Sequence, residues 1–240
     1  MSDANTEDGG QRTEGGPMKT DPSAEHHPPS AVRPPPSAVS PSSVLRFGVV
    51  ILAAGSSTRM GRPKQLLEIG GRSLIVRAVE AALASPAWPV VVVLGANAEI
   101  IRPVLAGLPV LVAENPAWAE GMAASIRTGV TTLMQFSRAL EAGLFALCDQ
   151  PAFSTAVIEQ LVAAQATTCR SVVAAHYAGR NGAPAIFLRE HFAALAALTG
   201  EEGARALLNG DPSQVAAVNL PDLAMDLDTP GDFAAMRQDP

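Results

Sequence analysis

Cysteine is scarce in this chain of 240 residues, which contains only Cys148 and Cys169. The start, MSDANTEDGG, is acidic and polar, without the basic stretch and apolar run of a secretory leader. Both features predict a reduced, cytoplasmic protein. An excess of positive charge is also missing. The formal net charge is -6, which argues against the broad basic surface that nucleic-acid partners require. Long hydrophobic runs are missing too. Stretches such as residues 90–94 end at Pro89 and Gly95, whereas a spanning helix needs roughly 20 apolar residues. No membrane segment is expected.

What is present is apolar material in short pieces. Hydrophobic residues make up 48% of the chain, ample for one well-filled domain of this length and too little chain for two large ones. Residues 1–44 mix Pro, Gly, Ser, Asp and Glu with almost nothing large to bury, and read as a disordered tail. His26 and His27 within it lack Cys or carboxylate partners at ligand spacing and read as solvated. The domain is expected over residues 45–240.

Within that domain, residues 47–53, 90–94, 110–113, 144–148 and 171–175 are near-continuous apolar runs, the pattern of strands buried on both faces. Between them lie segments of helical period: residues 73–84, 122–134, 155–165, 190–198 and 204–208. In the first of these, Ser73, Arg77 and Glu80 mark one polar stripe on an otherwise buried helix. No internal repeat is evident. Alternation of strand and helix predicts an α/β domain: a mostly parallel twisted sheet with helices on both faces, Rossmann-like. Such sheets bind ligands at the carboxyl ends of their strands, which directs attention to the residues just after Ala53, Leu94, Ala113 and Cys148.

Leu52, Ala53 and Ala54 lead into Gly55, Ser56, Ser57 and Thr58, a small-residue turn that lets backbone N–H groups approach a ligand. Arg59 and Lys64 add two positive charges at the same edge. A forked guanidinium and a mobile ammonium together complement the several charges of a triphosphate. The common phosphate loops do not fit. In the Walker pattern a Lys follows the second glycine, but here Arg62 and Pro63 intervene between Gly61 and Lys64. The dinucleotide pattern fails because Ser57 stands where a second glycine would be needed.

A carboxylate, Asp149, follows the fourth apolar run, and Asp226 and Asp228 lie near the end of the chain. Triphosphates travel with Mg2+, a hard ion that takes one or two carboxylates together with phosphate oxygens and water. Asp149 and Asp228 meet that need provided the last segment returns beside the fourth strand. Asn115 and Pro116 leave the third strand end, and residues 121–125 open a helix whose N-terminal amides favour an anion, so Gly121 and Ser125 are candidates for the nucleotide side. Met122 and Ile126 read as core, and Cys148 as a packed small hydrophobe without a histidine to activate it.

Leu52-Ala53-Ala54-Gly55, Ser57, Arg59-Met60-Gly61 and Lys64 match L-A-A-G-x-S-x-R-M-G-x-x-K, and so the chain resembles the MobA-like nucleotidyltransferases. Its Asp149-Gln150-Pro151, Asp226-Leu227-Asp228-Thr229-Pro230 and the segment from Asn115 to Gly129 are similar to motifs of the molybdenum cofactor cytidylyltransferase group. The resemblance implies a nucleotidyltransferase that uses CTP and Mg2+, joins CMP to the terminal phosphate of molybdopterin and releases pyrophosphate, with a molybdenum hydroxylase as a possible recipient of the product. It implies Arg59, Lys64 and Asp149 as catalytic residues and Asp149 with Asp228 as magnesium ligands. It further implies Leu52, Ala53, Ala54, Gly55, Ser56, Ser57, Arg59, Lys64, Gly121 and Ser125 as nucleotide-binding. Two departures bear on the acceptor: Ala183 stands where His or Asn is frequent, and Glu201 where Asp is usual. Transfer to a sugar or polyol phosphate, NAD(P)H-dependent oxidoreduction on a related scaffold, and a non-catalytic carrier of the cofactor are the alternatives.

Overall fold

A computed structural model describes residues 45–227 and 231–233. The tail expected over residues 1–44 and the predicted ligand Asp228 lie outside the described residues. In chain order the strands are β1 (Phe47–Ala53), β2 (Glu68–Ile69), β3 (Arg72–Ser73), β4 (Val90–Leu94), β5 (Leu111–Glu114), β6 (Ala142–Leu147), β7 (Val172–Tyr177), β8 (Arg180–Leu188) and β9 (Val215–Asn219). The α-helices are α1 (Leu74–Leu83), α2 (Ala98–Ile101), α3 (Met122–Phe136), α4 (Thr155–Thr168), α5 (Phe192–Ala196) and α6 (Arg205–Leu208). Among the described residues no helix is long and apolar enough to cross a membrane.

Seven strands form one sheet in the order β5-β4-β1-β6-β8-β7-β9. β8 alone runs against its neighbours β6 and β7; the other pairings are parallel. The sheet is therefore mostly parallel, as expected. Every residue of β1 is buried, because side chains alternate across the sheet and both faces are covered. Val49, Ile51 and Ala53 pack with Ile75, Val79 and Ala82 of α1 and Ile158 and Leu161 of α4. Val50 and Leu52 point the other way, toward Ile126, Val130 and Leu133 of α3 and Leu195 of α5. Each such aliphatic side chain withdrawn from water contributes about 1.5–3 kcal/mol before entropy is counted.

A third, smaller cluster joins Met60, Leu67, Leu74 and Leu227, with Ile69 and Phe233 packed against it. It anchors the segment after β1 and the end of the described chain to the same place, and Arg62 lies over the Phe233 ring at 5.6 Å. Thus Met60, in the middle of the polar signature, is there to be buried.

Several elements differ from the sequence expectation. β8 and β9 were not among the predicted strands, and β2 and β3 pair as a small antiparallel hairpin. β8 opens with Arg180 and Asn181 and contains Pro184, while β9 alternates half-buried and exposed residues at the sheet edge. Their apolar runs are confined to residues 185–188 in β8 and 215–218 in β9, the latter only half-buried or exposed. The helix expected over residues 190–198 begins instead as a 3-10 turn, Arg189–His191, and continues as the shorter α5.

Candidate active site

The strand order reverses at β1. From β1 the chain moves outward to β4 and β5, then comes back to β6 on the opposite side. The carboxyl ends of β1 and β6 therefore stand together, with Leu52 in register with Leu147 and the Cys148 N–H donating to the Leu52 carbonyl at 3.3 Å. A crevice at such a reversal is the usual ligand site of an open α/β sheet. Here it is a cavity of about 280 Å³ lined by Leu52, Ala53, Ala54, Gly55, Ser56 and Lys64 on the β1 side. Leu147, Cys148 and Asp149 line it on the β6 side, and Trp118, Gly121, Met122 and Ser125 cover it from α3 and its approach.

The loop after β1 is held from behind. Gln65, only 1% exposed, donates through Nε2 to the carbonyls of Ala53 (3.0 Å) and Gly55 (2.9 Å) and accepts from the Ser57 hydroxyl at 3.2 Å. Asn97 donates to the carbonyls of Gly55 (3.3 Å) and Ser56 (3.4 Å). With its carbonyls tied back, the loop leaves open space where a Cβ on Gly55 would point, which is room for a ligand rather than for packing.

Lys64 and Asp149 meet as an ion pair, Nζ to Oδ2, with both side chains mostly out of water at 18% and 13% exposure. The Lys64 backbone is fixed by its N–H donating to Ser57 Oγ at 3.0 Å. Asp149 is held through its backbone, whose carbonyl accepts from the Leu227 N–H at 3.2 Å. Gln150 next to it donates to the Leu223 carbonyl at 3.2 Å. The last described segment thus returns beside the end of β6, the condition on which a second carboxylate at Asp228 depended. Among the described residues no group of three or more His, Cys, Asp or Glu could hold a metal ion. A hard divalent ion that binds together with phosphate takes only one or two carboxylates, and Asp149 would offer one. The ammonium on the Asp149 carboxylate shows that this oxygen accepts a cation in place. Burial pushes the neighbouring Cys148 thiol up, with the Asp149 charge adding and Lys64 opposing, so it packs and does not attack.

The sequence-predicted residues are not all brought together. Leu52 to Ser56, Lys64, Gly121, Ser125 and Asp149 line the cavity. Ser57 does not: it adopts a left-handed φ of 56° and turns its hydroxyl to Lys64 and Gln65, so its role is bracing. Arg59 is exposed on a 3-10 turn outside the cavity wall. The α3 amides are less available than expected, because Ala123 N–H donates to the Gly200 carbonyl at 3.3 Å. That close approach needs Gly121, which has φ 104° and whose Cβ would lie 2.8 Å from Glu201 Cα. Met122, read as core, is 39% exposed and lines the cavity, whereas Ile126 is buried as expected. Trp118, Gln65 and Asn97 were missed. Trp118 sits inside the segment from Asn115 to Gly129 and Gln65 directly follows the motif that ends at Lys64, but Asn97 follows β4 and carries no local signal.

A second cavity of about 600 Å³ adjoins the first through Leu52, Met122 and Leu147. Phe145, Tyr177, Ala185, Phe187 and Leu208 make it largely apolar, and Arg180, Asn181, Glu201 and Arg205 supply polar groups.

Paired compartments, one with a tied-back glycine turn and a facing lysine and aspartate, the other broad and apolar, are what an enzyme passing a nucleotidyl group between two substrates requires. Comparison with known proteins gives that class a name. Residues 49–217 match the model of the MobA-like NTP transferase domain, and the chain belongs to that family of nucleotidyltransferases. Nicotine blue oxidoreductase of Paenarthrobacter nicotinovorans is 31% identical over 182 residues, which cover 72% of this chain and 86% of that protein. The crystal structure of Rv0371c from Mycobacterium tuberculosis H37Rv superposes with a TM-score of 0.70 at 25% identity, covering 81% of this chain and 98% of that one. Its manganese complex gives 0.66 at 23% identity, covering 81% of this chain and 100% of that one. A nucleotidyl transferase from Methanothermobacter thermautotroptrophicus shares the fold, with a TM-score of 0.67 at 23% identity over 80% of this chain and 96% of that one.

Proposed function

We propose that this enzyme is a cytidylyltransferase that joins CMP from CTP to the terminal phosphate of molybdopterin and releases pyrophosphate. The observation that carries this is the convergence of Lys64 and Asp149 across the cavity at the end of β1 and β6. Ala54, lining that cavity, places a methyl where the guanylyl-transferring relatives have glycine in L-A-G-G, and this leaves less room for a purine. The larger adjoining cavity suits a planar acceptor such as a pterin.

The acceptor is a phosphate monoester whose second pKa is about 6, ionised at neutral pH without a general base. Positioning and charge are then what the protein must supply. Lys64 offers its ammonium to the β and γ phosphates, and Arg59 reaches them from the mouth. Gly55 and Ser56 present backbone to the triphosphate, and Gly121 and Ser125 border the nucleoside side. Asp149, with Asp228 as its proposed companion, would hold Mg2+, which when bound offsets charge at the α-phosphate. Manganese in the Rv0371c complex agrees with a divalent ion in this fold. The enzyme is proposed to act in the cytoplasm and to hand its product to a molybdenum hydroxylase.

Removal of either converging group is the direct test. Lys64→Ala and Asp149→Ala are each expected to lower turnover at least about 100-fold, or about 2.7 kcal/mol, in a pyrophosphate-release assay with molybdopterin and Mg2+. Release at the wild-type rate from both variants would refute the assignment. Offering each of the four NTPs with molybdopterin and with sugar or polyol phosphates decides donor and acceptor. The identity to nicotine blue oxidoreductase supports a second reading, reduction of a planar aromatic substrate in the larger cavity. Rapid NAD(P)H oxidation without NTP or divalent ion would establish that reading and displace the first.

A further inference from the structure

We infer that Asn115 is a positioning residue that fixes the Ser125 hydroxyl as a hydrogen-bond donor to the nucleoside, so that the nucleotide atom meeting Ser125 must be an acceptor. This rests on the reading of the cavity at the ends of β1 and β6 as the nucleotide site. Asn115 directly follows β5, where its N–H donates to the Leu94 carbonyl at 2.8 Å. Pro116 comes next and has no N–H to give. The Asn115 side chain turns onto the following donor, and its Oδ1 accepts from the Ala117 N–H at 3.0 Å. A backbone N–H can only donate, so the atom facing it must be the amide oxygen. That puts Nδ2 on the other side, 3.2 Å from Ser125 Oγ.

An amide nitrogen donates and does not accept. Ser125 Oγ is therefore the acceptor in this bond, and its own proton is directed elsewhere. Thr128 and Thr132, further along α3, return their protons to the carbonyls four residues back. Ser125 does not: among the described residues its Oγ has no hydrogen bond besides the one from Asn115. Asn115 and Ser125 are only 3% and 5% exposed, and a buried hydroxyl proton without an acceptor is costly. The space left for it is the cavity that Ser125 lines. A donor fixed in this way admits a carbonyl oxygen or ring nitrogen and rejects an N–H, because two donors facing each other both stay unpaired.

The test titrates CTP with Mg2+ into the full-length protein by calorimetry, without acceptor. Ser125→Ala is expected to bind CTP about fivefold more weakly, the loss of one hydrogen bond. Asn115→Asp keeps the size and the acceptor for the Ala117 N–H, but its second oxygen draws the Ser125 proton away from the cavity. It is expected to weaken CTP binding about tenfold. Asn115→Ala merely releases the hydroxyl and should weaken binding about threefold. In the Ser125→Ala background both substitutions at Asn115 are expected to lose their effect, which is the signature of a residue acting through Ser125. Circular dichroism and a cooperative melt establish that each variant is folded. An equal cost in both backgrounds would overturn the inference, because a charge felt directly by the phosphates, or a loop merely held in shape, acts with or without the hydroxyl. Unchanged CTP affinity in Ser125→Ala, or in both Asn115 variants, would overturn it as well. Lys64→Ala in the same titration separates the underlying reading: undiminished CTP affinity there would remove the cavity as the nucleotide site.

Discussion

Gln65 shows what one buried amide contributes to the loop after β1. It satisfies two loop carbonyls and one hydroxyl at once, so Gln65→Leu keeps the volume and strands three polar partners. Each buried group left without its partner costs about 1–3 kcal/mol. The variant is expected to lose at least that much stability in urea unfolding and to raise KM for the nucleotide more than it lowers kcat. Tyr177 is a second case. Its hydroxyl donates to the Ala183 carbonyl at 2.9 Å and accepts from Gln150 at 3.1 Å. Burial pushes the phenol up, while the Gln150 hydrogen bond opposes the shift. A raised folded value means that its contribution is complete below about pH 10, the ordinary tyrosine range, and is lost as pH rises through the folded value. Tyr177→Phe should therefore cost about 1 kcal/mol at neutral pH, with the difference from wild type narrowing in alkaline unfolding experiments.

Helix α3 illustrates a contest between propensity and packing. Gly129 lies mid-helix, where replacement by Ala gains about 1 kcal/mol of intrinsic helix stability. A Cβ there would enter the van der Waals envelope of Val50 Cγ1 on β1, and overpacking of this kind costs about 1–3 kcal/mol. The clash should dominate, and the melting temperature of Gly129→Ala is expected to fall. The same packing logic explains which elements could be read in advance. β1 and β4 were recognised with their observed bounds, because a strand covered on both faces must be apolar throughout. β8 and β9 offer only four-residue runs, at 185–188 and 215–218, and the second is not covered on both faces. They become strands because β6 and β7 offer unpaired edges, and those edges exist only once the sheet has formed.

At the scale of the molecule, the proposed boundary near residue 45 can be tested by truncation. A chain of residues 45–240 should melt cooperatively at the temperature of the full-length protein and retain its pyrophosphate release, since the core clusters draw only on residues from Leu45 onward among those described. A large loss of stability would show that the first 44 residues belong to the fold. The site itself is a product of long-range closure. Lys64 and Asp149 are 85 positions apart in the chain, by subtraction of their numbers, yet form one ion pair. The return of Leu227 to Asp149 spans a further 78 by the same arithmetic.

The amino-acid pattern by itself determined the α/β layering, the glycine turn after β1 and the chemical types gathered at strand ends, because burial on two faces and phosphate binding each demand particular residues in local order. Tertiary structure alone decided that Lys64 rests on Asp149, that Ser57 braces the loop while Arg59 stands outside the wall, and that Gly200 occupies an amide of α3. Those outcomes depend on which distant surfaces compete for the same hydrogen bond or charge, and that competition begins only when the chain is folded.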